Sequence, residues 1–458
     1  MLYAVIDVTI IGAGITGLTA AYELARRGRS VAVFESSSRA GGLIRTEHAD
    51  GFTIEAGPDA ILASKPAGLD LVRELGLERE VLRVRTPGAF VLRGRRLYRL
   101  PSPSLLGLPL SWRALAGYGL LPWHARLRMA LEPRVPRRVS DDDESVASFF
   151  RRRFGPDTVD LIAQPLLGGI HAGDIEQLSM QSLFPRLVEL ERTNGRVLPK
   201  KGAVPFSRGQ AATSPFVSLR GGMGTLVDAL VRALPHDTIR FNAPVERVSQ
   251  MTGGWHLSAK GASHLSRAVV LAAPAPVVGR LLRPIDADAA DCCARVPYVS
   301  TASVALAWSR SAVPHPLDGT GFVVARRHSD VRITAATWVS AKWEARAPED
   351  AVLIRAFLGG QHDPDVVSLA DEDLVRVVRA DLGAVMGIAA PPSRMRVFRW
   401  PNAGAQHTVG HLQRVEEIER RLRAIGGLYV AGSGFRSVGI PDCIAEARKV
   451  ASEAAQSD

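Results

Sequence analysis

The sequence predicts an α/β (α+β) fold, and three observations carry that prediction. The first 35 residues hold an apolar strand, a glycine-rich turn, a helix and a second strand, in that order. The stretch AGSGFRSVGIPDCIAEARKV, residues 431–450, places another glycine-broken turn directly before the last helix. Between the two, runs with strand alternation are interleaved with runs at helical spacing. With 458 residues, 46% of them hydrophobic, the chain can fill the cores of two or three domains.

The amino-terminal unit, VTIIGAGITGLTAAYELARRGRSVAVFE, reads as a strand, a turn, a helix through Arg27 and a strand ending in Glu35. Gly12 permits the tight turn, Gly14 lets the backbone approach a pyrophosphate, and Gly17 lets helix and strand pack closely. Ile15 and Thr16 open the helix, whose free N–H groups face the phosphates. Glu35 stands where an acid accepts hydrogen bonds from a ribose. Glycines alone would fit any tight turn. Strand, helix, second strand and terminal acid within about thirty residues make this a Rossmann-like dinucleotide site.

The residues that follow choose between dinucleotides. ESSSRAGGLIRTEHADGFTIEAGP sets Arg39, Gly41 and Gly42 directly after the acid, then a hairpin, then Gly57. This resembles the flavin amine oxidase superfamily, and the resemblance implies FAD lying along a second glycine pair. A further block, FVSLRGGMGTLVDALVRAL, leads into the strands around Val248, whose backbone the resemblance puts against the adenine. The late turn then has a role: Gly432, Ser433, Val438, Gly439 and Ile440 are implied to cover the flavin, with the last helix, beginning after Pro441, pointing its positive end at it. Where many flavin oxidases carry an acid, this chain has Ser433.

The expected organisation is therefore discontinuous. Residues 1–60, 212–292 and 420–458 form the FAD-binding domain, 61–95 and 293–419 a mixed-sheet substrate-binding domain, and 96–211 a helical lobe. The lobe holds tryptophans beside Arg113, Arg126, Arg128, Arg134, Arg137 and Arg138, a composition suited either to packed helices with solvated arginines or to peripheral contact with an anionic membrane. No apolar run in it is long enough to span a bilayer.

Three blocks narrow the family: QPLLGGIHAGDIEQLSMQSLFPRL, HPLDGTGFVV and RWPNAGAQHTVGHLQRVEEIERRL, together with the Gly-Pro of Gly57. The combination resembles the oxygen-dependent, FAD-containing protoporphyrinogen oxidases over nearly the whole chain. That implies oxidation of a porphyrinogen to a porphyrin in three two-electron rounds, with oxygen as acceptor and hydrogen peroxide as product, in porphyrin and haem biosynthesis. No nucleophile constellation is expected, because the flavin itself accepts the hydride. Carried over by position, the substrate slot contains Asp59, Gly168, Gly169, Val323 and Trp343, the last stacking on the macrocycle. Some relatives carry an arginine where Ala89 stands, which leaves Arg93, Arg95 and Arg96 as candidates for a propionate. The rival reading is a coproporphyrinogen oxidase, whose substrate has four carboxylates instead of two and would call for a more basic slot. An amine oxidase, a carotenoid desaturase and a flavin-free carrier on the same fold are the remaining readings. Only six lysines are present, which counts against the amine oxidase, a type that often has a lysine beside the flavin.

Other classes are disfavoured. Three cysteines give neither a disulfide framework nor zinc spacing, and the start of the chain lacks a basic leader, so a cytoplasmic location is expected, with peripheral contact at the inner face of the cell membrane as the variant. His407 and His411 sit four apart, but with no third ligand His411 is expected to cap or pack the next helix rather than bind metal. The net charge of +11 comes from arginines scattered along the chain without interleaved aromatics, so no nucleic-acid partner is expected. The partners are porphyrinogen and oxygen, and the chain acts as a monomer or homodimer.

Overall fold

In the computed structural model, residues 5–198 and 214–456 are described. The boundary expected at 211/212 lies outside them. Strand β1 (Ile6–Ile11), helix α1 (Ile15–Arg26) and strand β2 (Val31–Phe34) form where the apolar runs require. α1 buries Leu18, Ala20, Ala21 and Leu24 completely, because apolar residues at spacings of three and four share one helical face.

β1 lies at the centre of a seven-stranded sheet. On one side it pairs in parallel with β2, and beyond β2 comes the strand Ile239–Arg240. On the other it pairs in parallel with Ala262–Leu271, which continues antiparallel into Gly254–Ala259 and Val245–Met251. The late strand Leu428–Val430 adds in parallel to Val269–Leu271. One sheet is thus closed by three stretches far apart in sequence.

A second seven-stranded sheet runs in the order Arg394–Ala405, Tyr298–Ser309, Ala351–Gly359, Ala335–Trp338, Gly321–Val324, Phe90–Arg93 and Arg96–Arg99. Its core joins Val304, Leu306, Trp308, Phe322, Trp338 and Ile354. The lobe has its own core of Phe149, Phe150, Phe154, Ile162, Met180 and Leu187. Among the described residues no helix is long and apolar enough to cross a membrane.

Three expected boundaries move. The hairpin Phe90–Arg99 belongs whole to the second sheet, so the lobe begins after Arg99 rather than at 96. Ile61, Leu71 and Val72 pack into the core of the first sheet, so the 61–95 piece divides. The helix His411–Ile425 packs Val415, Ile418 and Leu422 against Leu257 and Val269 and joins the first unit entire. In each case a hairpin or helix cannot be split without exposing the face it buries.

Candidate functional site

The cradle at the start of α1 is defined by what its glycines touch. Gly12 has φ +107°, and a Cβ there would lie 2.5 Å from the Ala272 carbonyl oxygen. A Cβ on Gly17 would lie 1.9 Å from the Gly12 carbonyl oxygen. Gly14 differs, since a Cβ there meets nothing within 4 Å. Gly12 and Gly17 are therefore required by the protein's own packing, whereas the absence of a side chain at Gly14 preserves open space at a helix N-terminus. Gly14 is the N-cap, it provides no side-chain cap, and the first turn has no acid. Its N–H groups remain for an anion.

The second glycine pair closes on the first. Gly41 donates to the Ala13 carbonyl at 2.8 Å, and Gly42 is tight against the Cα of Gly14. Arg39 spends its guanidinium on the carbonyls of Ala40, Ile44 and Gly42, at 3.1, 3.1 and 2.5 Å, and so shapes this loop. Glu35 accepts from the N–H groups of Ala13 and Ser37, both at 2.8 Å. Val248 is buried in an edge strand of the same sheet. A cradle with one open glycine, an uncapped helix start and a carboxylate at the end of β2 fits the phosphates and ribose of an extended dinucleotide.

The late turn is held from outside itself. Gly432, at φ +119°, donates to Glu446 Oε2 at 2.8 Å, and the Ser437 hydroxyl donates to the same oxygen. Burial pushes the Glu446 carboxyl up from its ordinary value. The carbonyls of Ser433 and Phe435 accept from His407 Nε2 and His411 Nε2 at 2.9 and 2.6 Å. Both histidines therefore carry the proton on Nε2, and the Ser182 hydroxyl is 2.9 Å from His407 Nδ1. The rings stack at 3.8 Å and 12°. Burial lowers the pKa of both, that of His411 to about 3, and that of neighbouring His171 to about 4. His411 opens its helix fully buried, and among the described residues no group of three His, Cys, Asp or Glu could hold a metal. The last helix begins at Ile440, with Pro441 in its first turn rather than ahead of it, because proline lacks only an N–H that the first turn does not use. Gly439 is its N-cap, and Val438 packs against the lobe core.

Gly57 and Asp59 are pinned by charge. A Cβ on Gly57 would lie 1.9 Å from the Leu43 carbonyl oxygen. Arg355 donates to the carbonyls of Glu55 and Gly57 at 2.6 and 2.8 Å. Asp59 accepts from Lys342 at 2.8 Å and Trp343 Nε1 at 3.1 Å. Burial would raise its carboxyl, but Lys342 and Arg355 hold it well below the usual carboxylate range. Trp343 is 0% exposed and packs with Phe52, Ile54, Leu82 and Phe398. Its ring is core and does not open on a slot, which corrects the stacking role expected of it: with the Lys342 ammonium 4.9 Å from the ring centroid and apolar neighbours around the rest, no face is left for a ligand. Lys342, one of the six lysines, is the one that pairs with Asp59.

The region expected to bind substrate is a narrow cleft between lobe and second sheet. Val159–Gly168 winds as a π-helix and ends at Gly168 and Gly169, which line the cleft with Gln164, Val324, Arg326 and His362. Val323 packs against the lobe core, and its neighbour Val324 is the strand residue at the cleft, as alternation along a strand demands. Arg93 donates to the Leu120 carbonyl at 3.0 Å, and Arg96 lies over the Tyr98 ring in an edge hairpin. The cleft joins the late turn through Gln406, which donates to the His171 carbonyl at 2.9 Å, and His407, whose carbonyl accepts from Ser179 at 2.8 Å. Local sequence patterns did not reveal Glu446, Lys342, Arg355 or Arg326, since each acts across more than a dozen residues or beside an unmarked turn. The spacing of His407 and His411 was visible, but not their grip on the turn.

Residues 15–455 match the family of flavin-containing amine oxidoreductases. The chain is 34% identical to a coproporphyrinogen III oxidase of Bacillus subtilis (strain 168), over 98% of this chain and 97% of that one. It is 26% identical to protoporphyrinogen oxidase 2, chloroplastic/mitochondrial, of Arabidopsis thaliana, over 97% and 92%. A crystal structure from Exiguobacterium sp. 255-15, provisionally named a protoporphyrinogen oxidase, superposes with a TM-score of 0.88 at 30% identity, over 100% of both chains.

Proposed function

The chain belongs to the flavin-containing amine oxidoreductase family, with FAD as its cofactor, and on that premise we propose that it oxidises coproporphyrinogen III to coproporphyrin III. The observation that carries the choice of substrate is the lining of the cleft beside Gly168 and Gly169: it contains Arg326 and His362 and no acidic side chain. A basic lining favours four carboxylates over two. This reverses the order of the two substrates expected from sequence, and the 34% identity to a coproporphyrinogen III oxidase supports the reversal.

When bound, FAD supplies two-electron acceptance, used three times per porphyrinogen, with three oxygen molecules reduced to three of hydrogen peroxide. The chain's own part is positioning. Gly14 leaves room for the pyrophosphate, Glu35 receives the ribose, and the turn at Gly432–Phe435 is held by two histidines that stay neutral. The cleft brings no nucleophile. Gln164 is tied to the Gly173 carbonyl at 3.2 Å, and Leu166 and Leu167, next to Gly168, pack in the lobe core.

The test gives the purified flavoprotein coproporphyrinogen III and protoporphyrinogen IX in separate aerobic reactions and follows porphyrin fluorescence. Higher kcat/KM on coproporphyrinogen is the expected result. Higher kcat/KM on protoporphyrinogen overturns the substrate assignment, and failure on both with flavin bound overturns the reaction.

A further inference from the structure

Most arginines around the cleft are already committed. Arg93 is hydrogen-bonded to the Leu120 carbonyl, Arg327 is paired with Asp160 at 3.3 Å, and Arg332 holds Asp363 with two bonds of 2.8 and 3.0 Å. Arg326 is the exception. It is half-buried and lines the cleft, and its guanidinium has no hydrogen-bond or ion-pair partner among the described residues. A guanidinium presents five donors in a fixed plane, and since no nitrogen of Arg326 is a buried atom lacking a partner, these donors face the cleft and are open to a ligand.

Its mounting is rigid. Ala325, fully buried, donates to the Leu92 carbonyl at 2.9 Å, and His328 donates back to Ala325 at 2.9 Å, closing a single 3₁₀ turn over Arg326–His328. Gly94 donates to the His328 carbonyl at 2.5 Å, which fastens the turn to the neighbouring hairpin. The ion pair of Arg327 with Asp160 ties it to the π-helix that ends in Gly168. The backbone under Arg326 is thus bonded on both flanks, while its head is unengaged.

We propose that Arg326 is the carboxylate anchor of the cleft, a specificity-determining residue that grips a propionate of the porphyrinogen through a charge-assisted, bidentate contact. Arg326 stands in the turn just past the strand Gly321–Val324, whose parallel partner is Phe90–Arg93, so its charge enters the cleft at the end of that pair remote from Ala89. The choice of a porphyrinogen carboxylate as ligand rests on the function proposed above. The placement of an unpaired arginine in the cleft does not.

The experiment separates the two. Binding of oxidised coproporphyrin III, protoporphyrin IX and the uncharged tetramethyl ester of coproporphyrin is titrated by fluorescence quenching in wild type, Arg326→Gln and Arg326→Lys holoenzymes. Arg326→Gln is expected to weaken coproporphyrin III roughly tenfold or more, to weaken protoporphyrin IX less, and to leave the ester unchanged. Arg326→Lys, which keeps the charge but loses the fork, is expected to fall between, and serves alone if the glutamine variant does not fold. Equal coproporphyrin affinity in wild type and variants overturns the anchor. If the anchor effect appears but wild type oxidises neither porphyrinogen, the reaction is wrong and Arg326 remains a carboxylate site. If wild type oxidises coproporphyrinogen with an affinity that Arg326 does not influence, the reverse holds.

Discussion

The two glycine turns proposed to hold the flavin are built in opposite ways. The turn at Gly12–Gly17 is largely self-sufficient: its strand, helix, second strand and acid lie within residues 6–35, and its tightest contacts are backbone to backbone, one of them with Ala272 behind Gly12. The turn at Gly432–Gly439 is held by strangers. Glu446 reaches in from the last helix, His407 and His411 from ahead of the strand Leu428–Val430, and Tyr298 leaves Gly434 no room for a Cβ, which would lie 2.6 Å from its hydroxyl. Local sequence can write the first kind of turn, whereas the second exists only once the chain has returned on itself.

The largest expected effect tests the first turn. Gly17→Ala forces a methyl to within 1.9 Å of a backbone oxygen, so the domain is expected to lose more than about 4 kcal/mol or fail to fold. Gly14→Val, three residues away, fills open space instead: its apoprotein should unfold at the wild-type temperature while the purified protein is colourless. Equal behaviour of the two variants in thermal unfolding would erase the distinction between packing glycine and ligand glycine.

Next in size is the charge cluster that joins the two halves. Asp59→Asn leaves Lys342 and Arg355 facing no carboxylate and is expected to cost about 3 kcal/mol in urea unfolding at pH 7. Because the Asp59 carboxyl is lowered in the folded state, its contribution is present above the ordinary value of 3.8 and disappears as pH falls through the lower folded value. Lys342→Met added to Asp59→Asn should restore part of the loss.

The late turn is best probed by pH. His171 and His411 have folded values of about 4 and 3, and His407 is lowered too, so in mild acid the unfolded chain binds more protons than the folded one. Stability is then fully present above about 6.5 and lost as pH falls below it, by ~1.4 kcal/mol per pH unit for each histidine. His411→Gln keeps a donor for the Phe435 carbonyl but cannot titrate, and should make acid unfolding shallower. Glu446 acts with the opposite sign, since its carboxyl is raised and its contribution is lost as pH rises through that value. Glu446→Gln should therefore make the acid side steeper.

The smallest expected change is Trp343→Phe, which removes the indole bond to Asp59 and leaves the core filled, at about 1 kcal/mol. KM for porphyrinogen should not move. A large rise in KM would return Trp343 to the substrate.

What could be read in advance follows the same division. The α/β class, the first turn, an acid at the end of the second strand and the second glycine pair were legible because each depends on residues within a few positions of one another, where strand and helix periods and glycine's freedom at positive φ act directly. That a late strand and helix return to the first sheet was legible only through resemblance. The core position of Trp343 was not, because an aromatic after a short helix looks the same whether its ring meets a ligand or Phe52 and Phe398.

By itself, then, the sequence determined the elements and the glycine cradle at the start of the first helix, since these follow from short-range sterics and hydrogen bonding. The tertiary structure alone decided which charges meet. It set Lys342 on Asp59 across 283 residues, put two neutral histidines under the Ser433 and Phe435 carbonyls, and left Arg326 unpaired in the cleft. Coulomb and hydrogen-bond partners act over a few ångströms of space, and distance along the chain carries no record of them until the two sheets and the lobe have packed.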